Sequence, residues 1–376
     1  TIHSLGAWLL RRNAAAIGLH GNFSIYGDDD MVSLLKTLYP DRERKALSRY
    51  ASLIARAKDY ALTPEDPLSD VSSDPEFPGM YAAYEEKLRR IGNADFGDLI
   101  LRSTELLESV PEVKRRVHDR FKVIMVDEYQ DSNVAQYRLL RGLAAPDAYV
   151  CVVGDDDQSI YRFRGAEVRN ILTFPESFPG TEIIRLEQNY RSTGSILAAA
   201  GAVVANNRGR LGKTLWTAND EGPLPAVVSC EDQDAEAAFC LSLVRKKPGL
   251  ETAILYRTNA QSRIFESLFL RENLPYRIVG TVRFYEREEI KDALAFLKYI
   301  ANPRDEVSFR RIVNKPPRGL GEASVDRILD RLGPDGSVPA AVDAALADFT
   351  GRAARALENF RSLHRGLLKK IGRAHV

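Results

Sequence analysis

Two short apolar runs in this chain stop abruptly at acids. Residues 122–133 read KVIMVDEYQDSN, and residues 153–166 read VGDDDQSIYRFRGA. In the first, Val123 to Val126 ends in Asp127-Glu128. In the second, Tyr149 to Val153 ends in Gly154-Asp155-Asp156-Asp157-Gln158. Magnesium prefers one or two carboxylates plus phosphate oxygens, and Asp127 can hold it directly or through water. Glu128 beside it can orient and deprotonate an attacking water. Gln158 both donates and accepts, which suits sensing a terminal phosphate. The plain alternative is a pair of acidic turns at the strand ends of some doubly wound domain. A single apolar run ending in Asp-Glu leaves that alternative ahead. Two such ends, followed by Tyr161, Phe163 and Arg164, weigh against it.

The elements that must position these groups are α/β. All-apolar runs of this length read as buried strands of a parallel sheet. Ligands of such sheets sit beyond the carboxyl ends of the strands. A helix from Asn133 separates the two runs, and Thr181 to Leu186 reads as a further strand that delivers Gln188-Asn189-Tyr190-Arg191. Ahead of this region, 11–118 is helical in pattern: Leu34, Leu35 and Leu38 recur at helical spacing, as do Leu47, Tyr50, Leu53, Ile54 and Ala57. Met80 to Ile91 and Phe96 to Leu107 read as two more helices, after a Pro/Ser/Asp-rich breaker at Pro64 to Pro78. Arg42, Arg44, Lys45, Arg49, Arg56 and Lys58 read as a solvated helix face in preference to a duplex contact. A second α/β unit follows. Ser192-Thr193 caps a helix through Ala205. Strands are expected at Ala226 to Ser229, Thr252 to Tyr256 and Tyr276 to Val279, and helices at 234–245 and 262–272. A charged helix from Glu286 to Ala301 stops at Asn302-Pro303, and the remainder is helical.

VDEYQDSN, GDDDQSIYRFRGA and LEQNYRST (186–193) together resemble the UvrD/Rep/PcrA family of superfamily 1 DNA helicases. TIHSLGAWLLR at 1–11, DFGDLI at 95–100 and ILYRTNAQSR at 254–263 fit the same family in the same order. The resemblance covers nearly the whole chain. It implies a 3′ to 5′ translocase on single-stranded DNA that uses ATP and Mg2+ and acts at single-strand–duplex junctions. The implied fold is a pair of RecA-like parallel-sheet core domains with helical insertions. Residues 1–10 and 119–187 fall in the first core, 11–118 in its helical insertion, 188–290 in the second core, and 291–376 at the start of a helical accessory domain. The resemblance makes Arg191 an arginine finger on the terminal phosphate and stacks Tyr190 on the adenine. It places His3, Ser4, Tyr161, Phe163, Arg164, Arg257 and Asn259 on DNA. It also sets Gly319 and Gly321, in the turn 317–321, against a duplex phosphate. Alone, that turn reads more readily as an ordinary helix connection, and Arg191 as a helix N-terminal ion pair.

The 376 residues suggest two or more domains, and the net charge of +1 means that any field for DNA must be local. The three cysteines, Cys151, Cys230 and Cys240, lack metal-ligand spacing and suit core packing in a reducing cytoplasm. No run is long and apolar enough to span a membrane, and no secretory signal is visible. The chain starts at Thr1 inside a motif, so truncation at both ends is expected, with both cores incomplete and the chain alone inactive. The family's phosphate loop precedes that motif. GRLGKT at 209–214 has two residues between its glycines where a phosphate loop needs four, and is expected not to bind phosphate. A catalytically silent DNA-binding fragment and the helicase part of a helicase–nuclease remain the alternatives.

Overall fold

The computed structural model describes residues 1–161, 165–207, 209–279, 288–333 and 336–372. Apolar residues at helical spacing build the first part of the chain, because each helix then has one face to bury. The order is α1 (Ile2–Arg12), β1 (Ile25–Tyr26), α2 (Asp28–Leu38), α3 (Arg44–Asp59), α4 (Phe77–Arg90), β2 (Ala94–Asp95), α5 (Phe96–Ser109) and α6 (Pro111–Arg120). Leu34, Leu35, Leu47, Ile54, Tyr81 and Leu88 form one core. Leu9, Leu10, Leu99 and Leu106 lie in a second. Gly6 permits the close crossing of α1 and α5, since a Cβ there would lie 2.2 Å from the Leu99 carbonyl oxygen.

One basic residue corrects the expectation of a solvated face. Lys58 is fully buried on α3, with its Nζ 2.6 Å from Glu85, 2.7 Å from Asp95 and 2.8 Å from Asp98. The carboxylates come from α4 and from the β2–α5 junction and converge on it, so the charge turns inward.

β3 (Val123–Val126), α7 (Val134–Leu143), β4 (Tyr149–Val152), α8 (Arg169–Leu172) and α9 (Phe174–Ser177) follow. β3 and β4 are parallel and in register, Val123 opposite Tyr149 and Val126 opposite Val152, so both end at the same level. Ile124, Val126, Val150 and Val152 pack on Tyr129, Leu140 and Phe174. The opposite face is open, with Met125 72% and Tyr149 64% exposed. The buried-strand expectation is corrected on this point. Among the described residues β3 and β4 pair only with each other, and none of their residues is fully buried: Val123, Met125 and Tyr149 are exposed and the others half-buried.

The chain divides into two compact units: Thr1–Ile184, Asn207–Gly212 and Asp292–Val376 in one, Arg185–Asn206 and Lys213–Lys291 in the other. The second holds α10 (Gly194–Val204), α11 (Gln233–Lys246) and α12 (Ser262–Arg271). The strands expected at 181–186, 226–229, 252–256 and 276–279 are not formed. A strand exists only through a hydrogen-bonded neighbour. Among the described residues of this unit the single ladder contact is a bridge of Gln188 to Trp216. Val227 is fully exposed as a result. Composition favours a sheet here without supplying a partner.

α13 (Glu288–Ala301), α14 (Glu306–Ile312), α15 (Glu322–Leu329), α16 (Val338–Ala345) and α17 (Gly351–Gly372) complete the order. From Asp292 onward they belong to the first unit and surround Tyr299, Phe309, Leu357 and Phe360. They dock on the N-terminal helices: the Tyr26 hydroxyl donates to Asp305 at 3.0 Å, and Lys87 pairs with Glu306 at 2.7 Å. No helix among the described residues is long and apolar enough to cross a membrane.

Candidate active site

β3 ends at Val126, and the chain then turns sharply. Asp127 and Glu128 both lie exposed beyond the strand. Glu128 adopts φ 52°, ψ 41°, a left-handed conformation that costs a side-chain-bearing residue about 1–2 kcal/mol. Its neighbours hold it there. The Tyr129 N–H donates to the Val153 carbonyl at 3.0 Å, tying the turn to the end of β4. The Glu128 N–H donates to Asp127 Oδ1 at 3.0 Å. The Tyr129 ring is buried edge-on against Phe174, with centroids 5.6 Å apart.

The second strand end packs onto the first through one side chain. Gln130 is buried, and its Nε2 donates to Glu128 Oε2 at 2.8 Å. Its Oε1 accepts from the Asp155 N–H at 3.0 Å. Asp155 in turn organises its own turn, with Oδ1 accepting from the Asp157 N–H at 3.0 Å and Oδ2 from Gln158 Nε2 at 2.8 Å. Glu128 and Gln158 are thus joined by an unbroken chain of hydrogen bonds. Asp156 and Asp157 are satisfied elsewhere. Arg210 forms a bidentate pair with Asp157, and the Leu211 N–H donates to Asp156 Oδ2 at 2.7 Å. That segment is GRLGKT, and no helix opens after it as a phosphate loop requires.

Tyr161 follows this turn and is 39% exposed. Phe163 and Arg164 lie outside the described residues. Asp59, at the end of α3, borders this segment: its Oδ1 accepts from Asn133 Nδ2 at 2.7 Å, and its carboxyl lies against Gly165. Burial pushes the Asp59 carboxyl up to about 6, against the pull of the Asn133 hydrogen bond. His3 and Ser4 sit in the first turn of α1, which Thr1 caps by accepting from the Ser4 N–H. His3 meets Phe96 edge-on at 6.2 Å, and burial holds its imidazole below the ordinary value.

In the second unit, Tyr190 and Arg191 precede α10 and are exposed. The Asn189 side chain accepts from the Arg191 and Ser192 N–H groups at 2.9 and 2.8 Å. The Asn189 N–H donates to the Trp216 carbonyl at 2.7 Å, so Trp216 anchors the segment. Thr193 occupies the capping position of α10 without a side-chain capping bond. Arg257 and Asn259 are exposed at a turn organised by Gln261, whose Oε1 accepts from the Arg257 and Thr258 N–H groups. Back in the first unit, Gly321 precedes α15. The Gly319 N–H donates to Asn314 Oδ1 at 3.0 Å, so Asn314 holds that turn.

The structure therefore gathers Asp127, Glu128 and Gln158 at one pair of strand ends, and Tyr190 and Arg191 at one helix start in the other unit. Sequence reasoning passed over Gln130 and Asp155, although both lie inside the two motifs. Their residue types mark both as hydrogen-bonding groups, but no sequence signal pairs the Gln130 amide with the Asp155 N–H.

Residues 1–179 match the UvrD/REP helicase N-terminal domain, and residues 184–336 match the UvrD-like helicase C-terminal domain. The chain is similar to the ATP-dependent DNA helicase PcrA of Bacillus subtilis, 42% identical over 96% of this chain and 51% of that protein. It is similar to the proteins of that name from Staphylococcus epidermidis, at 42%, and Staphylococcus aureus, at 41%, over 87% of this chain and 46% of each relative. The chain spans about half the length of the curated relatives it matches. The chain belongs to the UvrD/REP helicase family.

Proposed function

We propose that the protein is an ATP-dependent DNA helicase of the cytoplasm. It moves 3′ to 5′ along single-stranded DNA and unwinds duplex at single-strand–duplex junctions. The observation that carries this reading is the hydrogen-bonded set at the ends of β3 and β4. A carboxylate pair and a glutamine held together there form a hydrolytic centre for a nucleoside triphosphate. β3 and β4 then belong to a first RecA-like core, with 11–118 as its helical insertion. Residues 188–290 belong to a second core, and 291–376 begin an accessory domain.

Asp127 fits Mg2+: it is an exposed oxygen donor whose contact within its turn is the Glu128 N–H. When bound, that ion offsets the charge of the phosphates. Glu128 orients the attacking water and takes its proton. Gln158 hydrogen-bonds the terminal phosphate, and Arg191 stabilises the charge that develops there. Tyr190 stacks on the adenine. Tyr161, Phe163 and Arg164 engage the bases, and His3, Ser4, Arg257 and Asn259 the single strand. The Gly319–Gly321 turn meets the duplex backbone.

The test is phosphate release by the full-length protein with and without single-stranded DNA, beside strand displacement on 3′- and 5′-tailed duplexes. Glu128→Gln lowers turnover by about 100–10,000-fold to a slow residual rate and leaves nucleotide binding largely intact, because the amide keeps the size and loses the base. Turnover within a few-fold of wild type would overturn the assignment. The 376 residues contain no Gly-x-x-x-x-Gly-Lys-Ser/Thr run, so as an isolated polypeptide they are expected to be catalytically silent.

A further inference from the structure

Gln130 has a task that no other side chain of its length performs. It faces Glu128 Oε2, which only accepts, and the Asp155 N–H, which only donates. Those two partners fix which end of the amide faces which way. A glutamate here could not donate to Glu128, and a lysine could not accept from Asp155. The site is also built around this side chain. A Cβ at Gly154 would lie 2.7 Å from Gln130 Oε1 and 2.8 Å from Ile171 Cδ1, so glycine at the position opposite leaves the amide its place. The Gln130 carbonyl lies 3.4 Å from Ser159 Oγ, which adds a link to the turn after β4.

We infer that Gln130 is the positioning residue of the site: it locks the Glu128 carboxylate in one orientation and fixes it relative to the turn that carries Gln158. This rests on the hydrolytic reading above. Glu128 is otherwise an exposed, rotatable side chain on a strained backbone position. The Gln130 N–H selects one rotamer, and the amide oxygen carries that choice across to Asp155 and so to Gln158. A change in how Gln158 meets the terminal phosphate is then transmitted to the base, and the reverse.

The experiment is a double-mutant cycle between Glu128→Gln and Gln130→Met in the full-length protein, read by single-turnover hydrolysis at saturating ATP and single-stranded DNA. Gln130→Met alone lowers kcat by about 10–100-fold, the scale of a misplaced catalytic group, with KM for ATP within about threefold. In the Glu128→Gln background the same change has no further effect, because the residue acts through the base. A packing defect would instead multiply the two losses and lower the melting temperature. Gln130→Glu, equal in size, keeps an acceptor for the Asp155 N–H and sets a second carboxylate against Glu128 in place of the donor, and it reproduces the kcat loss with a lower melting temperature, because the buried charge is unpaired. Gly154→Ala presses on the amide from the other side, and on Ile171 as well, and also lowers kcat. Wild-type kcat in Gln130→Glu, or multiplicative losses in the cycle, would overturn the positioning role alone. Undiminished turnover in Glu128→Gln would overturn the hydrolytic reading and this role together.

Discussion

Asp59 shows how a single half-buried carboxyl sets a pH dependence. Its folded value of about 6 stands above the ordinary 3.8, so the folded chain binds this proton more tightly than the unfolded chain. The stability it contributes is fully present below the unfolded value and is lost as pH rises through about 6. Above that the contribution is flat. Asp59→Asn keeps an acceptor for Asn133 and removes the charge. It is expected to be more stable than wild type at pH 7.5 by about 1–2 kcal/mol and equal to it near pH 4. Urea midpoints of both proteins at the two pH values decide this, and parallel pH profiles would refute it. At this scale the sequence was legible where a residue type names its chemistry, as Asp127, Glu128 and Gln158 do. It was not legible where a contact depends on a distant neighbour. Nothing along DEYQD says that the Gln130 amide reaches Asp155, since that follows from the register of β3 on β4 and from the space at Gly154.

Between elements, the buried charges of α3, α4 and α5 decide how the helices meet. Burial alone would lower the Lys58 ammonium's affinity for its proton, yet Asp95, Asp98 and Glu85 hold it well above the ordinary value. Burial raises Glu85 and Asp95, whereas the Lys58 and Arg102 charges bring Asp98 below its usual range despite burial. Asp95 and Asp98 also form the capping box that starts α5: Asp95 accepts from the Asp98 N–H at 2.9 Å, and Asp98 from the Asp95 N–H at 3.2 Å. DFGDLI thus ties a helix start to a cation on another helix. Helical periodicity assigned Lys58 to the surface because lysines are almost never fully buried unless paired. The pairing acids lie far along the chain, where no periodicity links them to Lys58. Lys58→Met leaves Asp95 without its cation, and Glu85 and Asp98 with Arg102 alone, and is expected to cost about 3–5 kcal/mol. DNA affinity should then follow the folded fraction. Unchanged urea unfolding in Lys58→Met would show that the cluster does not tie the helices.

For the whole molecule, the open face of the small sheet is the feature with the largest consequence. The sequence placed both strands within a residue of their observed ends, because an apolar run stopped by acids has few other readings. It overstated their burial, because the pattern of a run says nothing about what covers each face. Val123, Met125, Tyr149 and Val153 all point to the uncovered side and are each at least half exposed. Apolar side chains gathered on one face of a parallel pair, next to strand edges unpaired among the described residues, favour contact with another chain. The 376-residue polypeptide is therefore expected to associate as its concentration rises. Replacing Met125 and Tyr149 by lysine puts two like charges on that face and makes stacking of copies costly, while Ile124, Val126, Val150 and Val152 keep the inner face intact. The double variant should scatter less light at every concentration with an unchanged far-UV spectrum. If the unmodified polypeptide stays monomeric at all concentrations, or the variant associates as strongly, the face is not the site of association.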